Sequence, residues 1–486
     1  MKKKLTLLII IMIMIISGMI FITYRYVNKT NNTSTKTNTK ENKTSNDENN
    51  ENDEIDFSNY ETYDVTLKES YKITKKGIYI LSGTIDNGLI TIETDDNVKL
   101  ILNGVNITNN SGPAINVINA KNVVIETKEN TTNKLTDGNN YNVDDDINGC
   151  IYSKDDLYFT GDGKLIINSN YEDGIVSKDD IIINSGSIEV NSKDDGIRGK
   201  DSITIKNGNI TINSEGVGLK VTNEEDENKG YILIENVVIS INSSKDALNS
   251  TKLITINNGE FNISSSDDGM HSDNDLIING GNINITKSYE GLEARNIEIN
   301  NGTINIKSSD DGINATSKTS KDIKLTINGG EVYVNASGDG LDSNGSIYIN
   351  GGKTIVDGPE NDGNGALDYD LECIITNGEL LAVGSSGMSQ APGNNSKQYS
   401  ALINLNNSYQ SGSTIEIKDS DNNVILSYTA NKKFQSVVYS SNKLEKDKTY
   451  TIYINGNNVT EFTINNITTT VGNATRGNMG RPMMRR

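Results

Sequence analysis

Tryptophan is absent from this chain of 486 residues, which has only one histidine, two cysteines and four prolines. The two cysteines, Cys150 and Cys373, lie far apart in the chain, which disfavours a disulfide and predicts two small buried side chains. Basic residues number 45 against 65 acidic ones, and the formal net charge is −20. Such a surface repels phosphate and no stripe of lysine and arginine offsets it, so we expect no nucleic-acid partner.

A long apolar run begins almost at the N-terminus. Lys2, Lys3 and Lys4 precede apolar residues from Leu5 to Ile22, a stretch just long enough to span a bilayer, and no small-x-small cleavage site stands out. We expect residues 1–27 to form an uncleaved membrane anchor or a signal segment, with the remainder exported to the cell surface. Residues 28–56 are almost devoid of apolar side chains, which predicts a disordered polar linker.

An acidic turn returns about every 22 residues through the middle of the chain. It reads Glu-Asp-Gly-Ile at 172–175, Asp-Asp-Gly-Ile at 194–197 and Asp-Asp-Gly-Met at 267–270. Two short runs of alternating apolar residues separate successive turns, and a glycine such as Gly186 or Gly208 separates the two runs, where a corner needs positive φ. These runs are too short for helices, so the repeat predicts stacked coils of β-strand.

The repeat predicts an all-β fold, a right-handed parallel β-helix over residues 57–395 with about 22 residues per coil. Longer repeats accommodate loops at 223–229 and 317–321. After residue 396 the period is lost, and hairpin-like strands predict a C-terminal β domain or cap over 396–470, because the open end of a β-helix has unpaired strands that need cover. Residues 471–486 form a basic tail.

The acidic turns are the candidate metal sites. Coils stack about 4.8 Å apart, and two like charges at that distance repel by roughly 3–4 kcal/mol at an effective dielectric constant of 20. A second set of acids follows the turns by a few residues, and two acidic columns at one corner favour calcium, which takes six to eight oxygen ligands. Ordinary turn chemistry, with Asp accepting a local backbone hydrogen bond, is the alternative. The candidate ligands are Asp173, Asp179, Asp180, Asp194, Asp195, Asp201, Asp267, Asp268, Asp273, Glu290, Glu293, Asp310, Asp311, Asp339 and Asp342.

The runs at 151–157, 173–180, 195–201 and 290–294 closely resemble a family of carbohydrate-binding β-helix proteins from clostridia and their relatives. The resemblance extends over roughly residues 63–460. It implies an exported β-helix, similar in shape to calcium-dependent pectate lyases, that carries calcium and binds plant cell-wall polysaccharide without clear evidence of cleaving it. Acidic pectin and cellulose are the ligand classes that it implies.

Four residues are candidate polysaccharide contacts. Tyr171 and Tyr289 each precede an acidic turn and could stack on sugar rings, although packing on the rim of the β-helix is an equal alternative. Arg198 and Lys200 are the candidate cationic contacts. We expect a monomeric, non-catalytic binding protein that meets the membrane only through its N-terminal segment.

Two other functional classes stay open. A calcium-dependent polysaccharide lyase would need a lysine or arginine base near the metal, although surface cations that offset neighbouring carboxylates explain the same residues. For His271, the single histidine, we expect an outward position in the stack. A stiff structural surface protein is the remaining class. The candidate bases are Lys178, Lys193, Arg198, Lys200, Lys220 and Arg295.

Overall fold

The computed structural model describes residues 55–141 and 146–473. The predicted anchor, nearly all of the predicted linker and most of the basic tail lie outside these residues. Within the described ranges every regular element is a β-strand, and no helix is long and apolar enough to cross a membrane. The prediction of an all-β fold is confirmed.

Most strands stack in parallel on the three faces of a β-helix. Face 1 begins after the acidic turn of each coil and contains β2 (Tyr71–Ile73), β4 (Ile90–Glu93), β6 (Ile115–Asn119), β9 (Gly149–Ser153), β12 (Asp173–Ser177), β15 (Ile197–Gly199), β18 (Leu219–Val221), β21 (Leu248–Ser250), β24 (Met270–Ile278), β26 (Leu292–Ile299), β28 (Ile313–Ala315), β31 (Leu341–Ser343) and β34 (Leu367–Tyr369). The second halves of β24 and β26 continue into face 2.

Face 2 contains β1 (Thr62–Leu67), β3 (Gly77–Ile85), β5 (Val98–Thr108), β7 (Val123–Thr127), β10 (Leu157–Gly161), β13 (Asp180–Ile183), β16 (Ser202–Ile205), β19 (Tyr231–Ile234), β22 (Leu253–Ile256), β29 (Lys324–Ile327), β32 (Ser346–Ile349) and β35 (Glu372–Ile375). Face 3 contains β8 (Thr132–Thr136), β11 (Lys164–Asn168), β14 (Ser187–Ser192), β17 (Asn209–Ser214), β20 (Val238–Ser243), β23 (Glu260–Ser264), β25 (Asn282–Ser288), β27 (Thr303–Ser308), β30 (Glu331–Asn335), β33 (Lys353–Asp357) and β36 (Glu379–Gly384).

The apolar residues of successive coils stack inside the β-helix. Ile181 pairs in register with Ile203, and Ile188 with Ile210, as the 22-residue period predicts. All four side chains are at most 3% exposed. Burial of each such side chain contributes about 1.5–3 kcal/mol relative to exposure, so the stack stabilises coils that are weak individually. Cys150 and Cys373 are free and buried, as predicted.

The corner between faces 2 and 3, here called the glycine corner, depends on backbone that only glycine adopts easily. Gly186 and Gly208 have φ values of 133° and 139°, and Gly259 has a φ of 136°. A Cβ on Gly259 would lie 2.6 Å from the carbonyl oxygen of Val237 in the preceding coil. Glycine is therefore required here both by φ and by the close approach of stacked backbones.

The C-terminal strands form a cap joined to the last coil. They are β37 (Ser400–Tyr409), β38 (Thr414–Asp419), β39 (Val424–Thr429), β40 (Phe434–Ser440), β41 (Thr449–Ile454), β42 (Asn457–Thr463) and β43 (Thr468–Val471). β40 pairs antiparallel with β36 and so covers the edge that the β-helix would otherwise expose. A separate four-stranded sheet has the order β39-β38-β41-β42.

A buried aspartate attaches this cap to the β-helix. Asp357, at the end of β33, is 0% exposed and accepts hydrogen bonds from the hydroxyls of Tyr333 at 2.8 Å and Tyr428 at 2.7 Å. The side-chain amide of Asn431 donates to the same carboxylate at 3.0 Å. Because these partners come from both parts of the chain, the network fixes the cap against the last coils.

Candidate functional site

The acidic turns stack at the corner between faces 3 and 1, here called the acid corner. Its acid column consists of Asp173, Asp195, Asp246, Asp268, Glu290, Asp311 and Asp339, and it is interrupted by Val217 in the coil between Asp195 and Asp246. Asp173 Oδ1 accepts the backbone N–H of Asp195 at 2.9 Å, and Asp268 Oδ1 accepts that of Glu290 at 3.1 Å. These hydrogen bonds run to the next coil, unlike the local bond that simple turn chemistry predicts, and one oxygen of each carboxylate is left for another partner.

A second column, the companion column, lies three residues further along each coil. Strand register places its members directly above one another, for example Arg198 with Lys220 and Asn314 with Asp342. The charge of the companion column changes along the β-helix from basic to acidic. The acid column therefore faces cations at one end and further carboxylates at the other. In order, the companion column is Val176, Arg198, Lys220, Asn249, His271, Glu293, Asn314, Asp342 and Asp368.

Near the N-terminal end of the acid corner, the protein supplies its own cations. Arg198 lies 2.7 Å from Asp173, and Lys220 lies 2.8 Å from Asp195. Both carboxylates are only 1% exposed. Burial raises the pKa of Asp173 to about 7, although Arg198 opposes that shift. Asp173 and Asp195 form a cluster with Asp194 that could bind metal. Three protein cations already contact this cluster, since Lys245 lies 3.6 Å from Asp194.

His271 is the companion residue at the centre of the acid corner. Its ring contacts Glu293 at 2.6 Å, Asp273 at 3.2 Å and Asp268 at 3.4 Å. Burial lowers the pKa of His271, but hydrogen bonds to Asp268, Asp273 and Glu293 outweigh burial and raise it to about 12. The imidazolium is thus a further internal counterion. The sequence predicted only an outward position for His271 and not this role.

The C-terminal end of the acid corner differs, because the described part of the chain supplies no such counterion there. Asp311, Asp339 and Asp342 each place a carboxylate oxygen within 4.8 Å of the others. No lysine, arginine or histidine of the described residues forms an ion pair with any of the three. Burial, followed by mutual repulsion, raises the pKa of Asp339 to about 7 and that of Asp342 to about 8. Burial also raises the pKa of Asp311 to about 6.

Asn314 adds an amide oxygen beside this cluster. Its Nδ2 donates to Glu290 at 3.0 Å in the preceding coil, and its buried Oδ1 has no hydrogen-bond partner within the described ranges. Asn314 is 8% exposed and stands in register with Asp342 in the following coil. A buried acceptor without a donor is costly unless a ligand satisfies it. Three carboxylates and one amide oxygen are the hard oxygen donors that calcium prefers.

The predicted second set of acids is divided between two corners. Glu293 and Asp342 belong to the companion column, but Asp179, Asp180 and Asp201 lie beyond face 1, at the corner with face 2. The placement of both sets at one corner was therefore wrong, because a whole strand separates them. Asp179 and Asp180 cluster there with Asp156, and Lys229 lies 2.7 Å from Asp180 and 3.7 Å from Asp201.

The remaining candidate metal ligands have weaker arrangements. Asp267 forms a cluster with Asp246 and Asp268, and Asp310 is the hydrogen-bond partner of the Tyr289 hydroxyl. Four residues of these sites were not predicted from the sequence as site residues. Asp156 lies before the first full acidic turn, and Asp246 precedes an alanine where the other turns have glycine. His271 and Asn314 can be recognised as site residues only when the companion column is aligned coil by coil.

The structure separates the four candidate polysaccharide contacts. Tyr171 stacks on Tyr141 with ring centroids 4.4 Å apart, so one of its faces is covered. Tyr289 is 46% exposed and directly precedes Glu290 of the acid column. Lys200 is exposed, whereas Arg198 is held by Asp173. Tyr289 is therefore the only one of these two rings that is openly presented beside the acid column.

Most of the candidate lyase bases are bound in ion pairs. Arg198 and Lys220 contact the acid column, Lys193 contacts Glu215, and Arg295 lies 3.1 Å from Asp275. Lys178 differs, because its ammonium lies 5.8 Å from the ring centroid of Tyr152. Burial and the nearby Arg198 lower the pKa of Lys178.

Comparisons with known proteins show that the chain is similar to proteins described as carbohydrate-binding. A curated relative from Acetivibrio thermocellus, described as a carbohydrate-binding domain-containing protein, is 38% identical over 145 residues. That match covers 29% of this chain and 50% of the relative, so the chain spans about half of that protein. A solved structure of a polysaccharide lyase-like protein from C. thermocellum, a gadolinium derivative, is 34% identical with a TM-score of 0.43, covering 45% of this chain and 95% of that one.

A family model described as carbohydrate-binding domain-containing protein matches residues 67–340 and again 266–436. The first match alone covers more than half of the chain and includes the whole acid corner up to Asp339. The two matches together extend from the first coils into the C-terminal cap. The chain therefore belongs to the family of carbohydrate-binding domain-containing proteins.

Proposed function

We propose that this protein is exported to the cell surface and binds acidic plant cell-wall polysaccharide, without cleaving it, through calcium held at the C-terminal end of the acid corner. The observation that carries the proposal is the cluster of Asp311, Asp339 and Asp342, for which the described residues supply no counterion. Asn314 stands in register with Asp342, and its buried Oδ1 has no partner among the same residues. Bound calcium would neutralise these carboxylates and supply positive charge for the carboxylates of a polyuronate.

Electrostatics explains why an acidic ligand would need the metal. A protein with a net charge of −20 repels polygalacturonate, and the repulsion is strongest where carboxylates are concentrated. Tyr289 lies beside this end of the acid corner, and its hydrogen bond to Asp310 raises the pKa of the phenol to about 12. The neutral ring, 46% exposed, offers an apolar surface for a sugar adjacent to the metal.

Retention on immobilised polygalacturonate tests the proposal. We expect the protein to be retained in calcium and released by a chelator, and the triple variant Asp311→Asn/Asp339→Asn/Asp342→Asn to lose at least ten-fold in affinity. The matched control, Asp86→Asn/Asp96→Asn/Asp421→Asn, changes the net charge equally at exposed positions and should bind like the parent. Retention of the parent that persists in the chelator, or equal retention of all three proteins in calcium, would refute the proposal.

A polysaccharide lyase is the second candidate, favoured by Lys178 alone. Burial lowers the pKa of this lysine, as a general base requires. A lyase would release unsaturated uronate from polygalacturonate, with a rise in ultraviolet absorbance that disappears in Lys178→Ala. We expect no such rise in the presence of calcium, and the appearance of one would replace the binding proposal with catalysis.

A further inference from the structure

A second concave surface lies away from the acid corner. A groove of about 850 Å³ runs along the glycine corner, with Gly259, Gly281, Gly302 and Gly330 among its lining residues. Because these glycines have no side chain, the floor of the groove is bare backbone. The groove crosses six coils, from Asn207 to Glu331, which corresponds to roughly 24 Å at about 4.8 Å per coil.

One rim of the groove repeats with the period of the coils. Glu260, Asn282, Thr303 and Glu331 begin successive strands of face 3 and pair with one another in register. Within the described part of the chain, no hydrogen bond or ion pair involves any of these four side chains. The opposite rim includes Asn301, whose amide is likewise without a protein partner among the described residues.

The neighbouring asparagines behave differently. Asn279 donates to Asn257 at 2.8 Å, Asn300 donates to Asn279 at 2.9 Å, and Asn328 continues the series at 2.8 Å. The side-chain amides of this ladder hydrogen-bond to one another along the outside of face 2. Within the groove, Asn258 donates to Asn236 at 3.2 Å in the same way. Glu260, Asn282, Thr303, Glu331 and Asn301 differ, because their polar groups line a concave surface and have no partner among the described residues.

The lining of the groove restricts the chemistry of a ligand. Among the residues that the structure describes, it contains two carboxylates, Glu260 and Glu331, but no lysine or arginine, so an acidic chain would be repelled. It contains no aromatic ring, so binding by ring stacking is ruled out there. What it offers is a series of hydrogen-bond donors and acceptors at the coil spacing, together with the apolar side chain of Val238, which is 49% exposed.

We propose that this groove binds a neutral, hydroxyl-rich polysaccharide chain laid along the axis of the β-helix, independently of calcium. Hydroxyl groups both donate to the Glu260 and Glu331 carboxylates and accept from the amides of Asn282 and Asn301. A polymer of repeating sugars presents such groups at regular intervals, as the rim does. In the same coil, residues 283–289 separate Asn282 of the rim from Glu290 of the acid column, which makes this site distinct from the calcium-dependent one.

Affinity electrophoresis in gels containing hydroxyethyl cellulose or galactomannan, run with a chelator, tests the inference. We expect the full-length protein to be retarded by at least one of these neutral polymers. The double variant Asn282→Arg/Thr303→Arg, whose long side chains would reach across the bare floor, should lose at least ten-fold in affinity. Ser187→Arg is the matched control, because Ser187 stands in the same column outside the groove and should bind like the parent.

The outcomes separate this site from the calcium site. Retention that survives the chelator and the triple Asp→Asn variant but fails in Asn282→Arg/Thr303→Arg supports the groove, whatever the result with polygalacturonate. Circular dichroism melting of each variant establishes that it is folded before its mobility is compared. The inference is overturned if no neutral polymer retards the parent protein, if retention requires calcium, or if both arginine variants bind equally.

Discussion

Arg198→Met should destabilise the protein by about 3–5 kcal/mol at pH 8, because removal of one partner of a buried ion pair leaves an uncompensated charge. Asp173 is 1% exposed and lies 2.7 Å from Arg198. The loss should shrink at pH 5, since burial already raises the pKa of Asp173 to about 7 and protonation relieves the unpaired charge. Denaturant unfolding followed by circular dichroism at the two pH values measures both effects.

The double variant Asp173→Asn/Arg198→Met provides the control. An amide keeps the size of the carboxylate without its charge, so the double variant should recover most of the stability that the single variant loses. Arg198 would then act mainly as an internal counterion, and retention on polygalacturonate should be unchanged in the double variant. If the double variant regained stability but was no longer retained on polygalacturonate, Arg198 would contact the polysaccharide, as the sequence suggested.

Calcium should stabilise the protein by about 3 kcal/mol at a hundred-fold excess over its Kd, since a ligand that binds only the folded state adds that much free energy. Asp342→Asn should remove most of the effect. In a chelator at pH 8.5 the same variant should be more stable than the parent, because it removes one of three mutually repelling carboxylates. Thermal unfolding of the parent and of Asp342→Asn, with calcium and with the chelator, measures the calcium effect, its loss in the variant and the stability gained without calcium.

The pH dependence in the chelator should have a definite sign. Asp311, Asp339 and Asp342 have pKa values of about 6, about 7 and about 8 in the folded protein, all above the ordinary value of 3.8. The folded protein therefore binds protons that the unfolded chain releases, and stability rises as pH falls from above 8 towards 4. Calcium competes with those protons, so its stabilising effect should be large at pH 8.5 and small at pH 5. A pH-independent calcium effect would place the ion elsewhere.

The fold could be predicted because it depends on local, repeated signals. Ile181 and Ile203, one period apart, can only be buried together if the coils stack, and the glycine at each corner marks where φ must be positive. Val237 replaces that glycine, yet its coil keeps the register, because the strands on either side are buried as in the other coils. The cap strands have no period to extend, so the sequence predicted a β cap but not the order in which its strands pair.

The candidate site could be predicted only in part. The acid column repeats with the period and was found, but its meaning depends on which residue faces it from the companion column. Arg198, His271 and Asp342 occupy equivalent positions with different charges, and no single turn motif distinguishes them. Lys229 comes from a loop and reaches Asp180, 49 residues earlier, which the spacing of motifs cannot reveal.

The position of bound calcium is the most direct test of the central claim. Crystals grown with calcium, and measured at a wavelength where calcium scatters anomalously, should show a density peak among Asp311, Asp339 and Asp342 near the Asn314 amide oxygen. No peak should occur among Asp173, Asp194 and Asp195, where Arg198 and Lys220 already neutralise the carboxylates. Density at the latter cluster, or none at the former in crystals that contain calcium, would contradict the account.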